Sequence, residues 1–199
     1  MGLAIYGYGS SVLKKRTLTI DKTYPNLDKL VADMWETMGD ASGCGLAAPQ
    51  IGRSISLFIV DSRLIYLGLS EKQRKLYFSP GDEGIREVFI NAQINSYSEE
   101  EWEEVEGCLS VPTLSGKVIR PWAIRVTYEN QYFEKKEKEF TGMTARIIAH
   151  EYDHIQGLLY VNRLKPLGKQ LMEAKLHQLA NGKVRVAYEM KFGNPKRNK

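Results

Sequence analysis

The five residues His150-Glu151-Tyr152-Asp153-His154 constrain this chain more than any other stretch. Residues four apart on an α-helix lie about 40° from each other around the axis, so a helix here puts both imidazoles on one face. Two nitrogen donors on one face can grip a divalent transition metal. Glu151, beside the first of them, can take a proton from a water held there. The flanks favour a helix: Thr141 is a candidate N-cap and Gly157 a candidate stop. With His150 at zero on a helical wheel, Met143, Arg146, Ile147 and His154 fall between about −40° and +60°. Glu151 sits about 100° round, at the edge of that face. The third histidine, His177, lies in a charged, periodic segment and reads as a surface residue.

Composition bounds the rest. A length of 199 residues suits one domain, and 43% hydrophobic content suffices for a core. The formal charge of +4 comes from interspersed acids and bases, apart from Lys196, Arg197 and Lys199, which read as a solvated basic tail. An RNA-binding module would need aromatic-basic repeats, and there are none. Two cysteines, Cys44 and Cys108, are too few for a disulfide framework and point to a reducing compartment. No leader-like segment and no apolar run long enough to span a bilayer is present, so a cytoplasmic protein is expected.

Along the chain, residues 1–24 read as a mixed arm. Pro25 opens a helix whose stripe is Leu27, Leu30, Val31, Met34, Trp35 and Met38, ending near Gly39. Gly43 to Gly52 reads as a loop in which Gln50 is the side chain able to act as a neutral donor. Ser56–Val60 and Glu87–Ile94 read as strands, and 62–86 as a polar surface excursion. The acidic run Glu99–Glu106 reads as a solvated strand. Residues 117–128 and 131–140 read as paired strands joined at Glu129-Asn130. A short strand at 158–162, a helix from Pro166 to Asn181-Gly182 and a closing strand at Val184–Met190 complete the chain.

A third metal ligand is needed. Thiolate is a good one, and Cys108 and Cys44 compete on chemistry alone. A zincin-type peptidase would use a histidine six residues beyond His154, where Tyr160 stands, or a glutamate further on, for which Glu173 is available. Pro166 and Gly168 intervene, and Glu173 fits the solvated side of its helix.

Three segments together, Gly43-Cys44-Gly45-Leu46-Ala47-Ala48-Pro49-Gln50, Glu106-Gly107-Cys108-Leu109-Ser110 and His150-Glu151-Tyr152-Asp153-His154, resemble the ordered motifs of the peptide deformylase family. The resemblance covers about residues 5–165 and leaves 166–199 as a C-terminal helix, strand and basic tail. It implies an α+β fold with antiparallel sheets around a central metal-bearing helix. It also implies removal of the formyl group from N-formylmethionyl nascent peptides, with release of formate. Fe²⁺ is the implied ion, with Zn²⁺, Ni²⁺ or Co²⁺ able to substitute, and transient ribosome contact is implied by the substrate. The family pattern makes Cys108, His150 and His154 the ligands and Glu151 the general base. Gln50 and the Leu109 N–H become donors to the carbonyl oxygen. Gly45 becomes a backbone contact to substrate, and Met143, Arg146 and Ile147 border the methionine pocket. Cys44 stands where the family usually has Val or Ile. Arg120 falls at the family's arginine spacing from Cys108, so an ion pair with Glu106 is expected.

Overall fold

The computed structural model describes residues 2–193. The basic residues Lys196, Arg197 and Lys199 lie outside the described residues. Five strands form one antiparallel sheet in the order β2 (Gly45–Ala47), β3 (Leu57–Asp61), β4 (Arg86–Tyr97), β7 (Ala123–Glu129) and β8 (Lys135–Thr141). Strands β5 (Glu101–Cys108) and β6 (Val111–Pro121) form a separate antiparallel hairpin. A third, two-stranded pairing is parallel: β1 (Ile5–Tyr6) lies beside β9 (Met190–Lys191).

The run Leu57-Phe58-Ile59-Val60 is apolar throughout because β3 is covered on both faces. Strand residues alternate sides. Phe58 and Val60 join Phe89, Val126, Tyr128 and Phe140 in a cluster closed by Ala145, Ile148 and Ala149 of helix α4 (Gly142–Ile155). Leu57 and Ile59 face the other way, packing with Val31, Met34 and Met38 of helix α1 (Leu27–Asp40). A third cluster joins Val111 and Val118 of the hairpin to Leu159, Tyr160 and Leu164, and to Leu176 and Leu179 of the last helix (Pro166–Ala180).

Five expectations change in detail. Gly43–Gly52 is not all loop: it contains β2 and a 3-10 turn at Ala48–Ile51. The stretch 117–128 is two strands, not one, because the chain leaves the hairpin at Pro121-Trp122 and enters the large sheet at Ala123. Residues 158–162 hold a 3-10 turn at Tyr160–Asn162, stabilised by the Leu159 N–H donating to the Asn162 side chain at 2.9 Å. A short apolar run does not separate these forms by periodicity. The closing strand shrinks to Met190–Lys191. The excursion at 62–86 contains two short helices, α2 (Arg63–Gly68) and α3 (Glu71–Tyr77), the second capped by Ser70.

Ile148 is fully buried between α4 and the sheet. Ile148→Ala is expected to lower unfolding free energy by about 2–5 kcal/mol in urea titration. A loss below about 1 kcal/mol would mean that α4 is not packed as described.

Candidate metal centre

Helix α4 carries His150 and His154 on the face turned from the sheet core toward the β5–β6 hairpin. That hairpin turns at Leu109-Ser110, with a register shift between Gly107 and Cys108 where Cys108 comes opposite Val111. The extra residues, 112–114, lie on β6, so Cys108 keeps the strand alternation that turns it, like Glu106, toward α4. Cys108, His150 and His154 each offer a ligand atom, and these atoms lie within 4.8 Å of one another. The Cys108 Sγ to His154 Nε2 distance is 3.2 Å. Metal–sulfur and metal–nitrogen bonds of about 2.3 and 2.0 Å in a tetrahedron place such atoms roughly 3.5 Å apart. One ion therefore fits between them without rearrangement of the backbone.

The second nitrogen of His150 is already committed. Its Nδ1 lies 3.0 Å from Glu106 Oε2, which leaves Nε2 for a metal. A carboxylate behind a ligating imidazole is the usual support for such a site. Glu106 is itself buried and gripped from two more sides. Arg120 approaches it through Nε at 2.5 Å and Nη2 at 2.8 Å, and Arg146 through Nη1 at 2.6 Å. Arg120 also reaches Asp153 Oδ2 at 3.0 Å, and Arg163 pairs with the same Asp153. Burial alone would raise the Glu106 pKa; the hydrogen bonds from Arg120 and His150 outweigh it and hold the carboxyl well below the usual range. The expected Glu106–Arg120 pair is thus present as part of a five-membered ionic chain. Most carboxylates of 99–106 face water as expected, and Glu106, the one expected to pair with Arg120, is buried.

Glu151 lines the same cavity. Burial pushes its carboxyl up to about 7, and its Oε2 has no hydrogen-bond partner among the described residues. Gly45 makes room for it, since a Cβ there would sit 2.5 Å from Glu151 Oε1. Gln50 is buried with its amide oriented: Oε1 accepts the Ala47 N–H at 2.7 Å, and Nε2 donates to Ser110 Oγ at 3.2 Å and to Cys108 Sγ at 3.6 Å. The cavity, about 840 Å³, is lined by Cys44, Gly45, Gln50, Leu109, Met143, Arg146, Ile147, His150 and Glu151 among others. All the candidate residues except His154 line it, and His154 lies behind, 1% exposed. Arg146 shows mainly its stem, because its guanidinium is taken by Glu106, the Val118 and Trp102 carbonyls and the Trp102 ring. Glu173 stands exposed on the last helix and is not part of the donor cluster.

Several contributors went unread in the sequence. Asp153 and Arg163 extend the ionic chain, and Ile65 of α2 joins the cavity wall. Residues Arg185–Tyr188 form another part of that wall. Asp153 sits inside the His-Glu-x-x-His stretch and was open to notice. The others are distant in sequence and carry no local motif.

A helix-borne pair of imidazoles and a neighbouring carboxylate, completed by a thiol from a hairpin, defines a metal-dependent hydrolase. Comparison with known proteins agrees. The family model described as polypeptide deformylase matches residues 3–170. The chain is 41% identical to the peptide deformylase of Christiangramia forsetii, over 99% of both chains. It is 40% identical to that of Flavobacterium psychrophilum, over 99% of this chain and 100% of the other. Peptide deformylase 1B of Arabidopsis thaliana, solved with an inhibitor, superposes with a TM-score of 0.76 at 28% identity, covering 90% of this chain and 91% of that one. The enzyme from Thermotoga maritima gives 0.70 at 33% identity, covering 83% and 99%. The chain belongs to the peptide deformylase family.

Removing Arg120 would leave Glu106 and Asp153 short of a buried cation. Arg120→Met is expected to destabilise the fold by roughly 3 kcal/mol in denaturant titration. A cost under about 1 kcal/mol would show that the ionic chain reorganises freely.

Proposed function

We propose that the chain acts as one catalytic unit that hydrolyses the formyl amide of N-formylmethionyl nascent peptides, releasing formate and a free amino terminus. The observation that carries this reading is the Cys108 thiol set against His150 and His154, with Gln50 of the 3-10 turn and Leu109 of the hairpin turn beside it and Glu151 lining the same cavity. Cys108, His150 and His154 would hold one divalent ion. A thiolate beside two imidazoles is a soft donor set that suits Fe²⁺ and also admits Zn²⁺, Ni²⁺ or Co²⁺. When bound, the ion supplies a Lewis acid that makes water a nucleophile near neutral pH.

The remaining work falls to side chains and backbone. Glu151 accepts the proton of the attacking water and returns one to the departing amine. Gln50 Nε2 and the Leu109 N–H donate to the formyl oxygen as negative charge grows on it. Gly45, which has no side chain to block the approach, offers backbone to the peptide. Met143, Ile147, Cys44 and the stem of Arg146 border the space for the methionine side chain. Formylated chains emerge from ribosomes, so the enzyme works beside them in the cytoplasm. No helix among the described residues is long and apolar enough to cross a membrane.

Glu151→Gln keeps the size of the side chain and removes the proton acceptor. It is expected to retain metal and lose activity by roughly 10²–10⁴-fold; activity within about threefold of the parent at equal occupancy would place the base elsewhere. After anaerobic purification, metal analysis should find iron in the parent and in Glu173→Ala, and little in Cys108→Ala. The reverse pattern would restore the zincin reading. Burying a methionine side chain contributes roughly 1.5–3 kcal/mol, so formyl-Met-Ala-Ser should exceed formyl-Ala-Ala-Ser by about 10–100-fold in kcat/KM. Equal rates would remove the pocket from the account.

A further inference from the structure

The turn that carries the Leu109 N–H is held by both ends of the chain. The parallel β1–β9 pairing ties start to finish, with the Ile5 N–H donating to the Glu189 carbonyl and the Gly7 N–H to the Lys191 carbonyl, each at 2.8 Å. Gly7 is needed for this closeness, since a Cβ there would lie 2.5 Å from the Phe192 ring. From this clasp the two arms reach the hairpin turn separately. The Tyr8 N–H donates to the Ser110 carbonyl at 2.7 Å. The Tyr188 hydroxyl donates to the Leu109 carbonyl at 2.8 Å. Tyr188 and Leu109 also pack side by side against the same apolar cluster as Ile5, Met34 and Leu46. Tyr188 lines the catalytic cavity together with Arg185, Val186 and Ala187.

A backbone donor is useful to catalysis only when its direction is set before reaction. The Cys108 side chain would fix one side of Leu109, and Gln50 and Tyr8 fix Ser110 beyond it. Among the described residues the Leu109 carbonyl has one side-chain partner, the Tyr188 hydroxyl. The Leu109 N–H belongs to the preceding peptide, so the bond acts by anchoring the residue as a whole: without it Leu109 is free to shift in the turn and take its N–H off line.

We propose that Tyr188 is a positioning residue for the Leu109 N–H, and that the C-terminal arm is a working part of the catalytic cavity. The kinetic half of this proposal rests on the deformylase reading, whereas the claim that Tyr188 holds the turn does not. Burial pushes the Tyr188 phenol up to about 12, so it remains a donor wherever the enzyme would be assayed.

The test is Tyr188→Phe in the full-length, metal-loaded enzyme, which removes one oxygen and keeps the packing. Loss of a single oxyanion donor costs about 10²–10³-fold in other hydrolases. Misalignment should cost less, and kcat on formyl-Met-Ala-Ser is expected to fall about 3- to 30-fold with KM within about twofold. Metal content and melting temperature should match the parent, while amide hydrogen exchange across residues 107–111 should accelerate. Unchanged kcat with unchanged exchange overturns the proposal. So does a fall in kcat that tracks lost metal or a lowered melting temperature, since that would make Tyr188 merely structural. If the parent releases no formate from any formyl peptide, the reaction is misread, and the exchange comparison still decides whether Tyr188 holds the turn.

Discussion

The buried carboxylate of Glu106 is the contact on which the site depends. It lies on β5 and is met by Arg120 from β6 and by Arg146 and His150 from α4. Desolvating a carboxylate costs several kcal/mol, and that cost is offset only when every lone pair finds a donor. Here two guanidinium groups and an imidazole supply them. The same set of bonds docks the hairpin on the helix in a single register. Since Cys108 follows Glu106 by two residues, docking the carboxylate delivers the thiol to the histidines. A slip of one residue along β5 would turn Glu106 and Cys108 to the opposite face and leave two guanidinium groups and an imidazole without their acceptor. The ionic chain therefore fixes geometry as much as it contributes stability.

The cavity beyond the ligands is shaped by what burial does to its acids. Glu151 has its carboxyl raised to about 7 by burial, which suits the proton-transfer role proposed for it. Its neighbour Cys44 is pushed up to about 12, by burial and then by the charge of Glu151. Cys44 thus remains a neutral thiol and serves as a small apolar wall beside Met143 and Ile65. Two cysteines in one cavity play different parts because one faces two imidazoles and the other faces a carboxylate.

How much of this was legible in the sequence depended on distance along the chain. The helix from Gly142 to Ile155 announced itself through its histidine spacing and through Gly157, and its wheel correctly grouped Met143, Arg146, Ile147 and the two imidazoles. The α1 stripe was equally plain, because an amphipathic helix writes its period into local sequence. Strands were located well and partnered less well. Val118-Ile119 and Ala123-Ile124 on either side of Pro121 read as one β-branched run, and the proline between them was the local mark of the passage from hairpin to large sheet. Glu106 was set apart from its acidic neighbours only by the family's arginine spacing, because charge density alone does not reveal which carboxylate turns inward. Only the pairing of β5 with β6 puts Glu106 on the face that meets α4.

The C-terminal arm shows the opposite limit. Its link to β1 is two residues long and joins positions 5–6 with 190–191, so no periodic pattern could have marked it. Its burial still alternates from Val184 to Met190, as an extended segment's should, yet Val186 and Tyr188 on its inner side line the cavity rather than a strand ladder. The family motifs bear on the proposed ligands, base and donors, while the backbone beside one proposed donor, the Leu109 carbonyl, is held by a tyrosine 79 positions away in sequence. A reacting group is read from its own chemistry, but the direction in which it points is set by whatever the fold brings against its backbone.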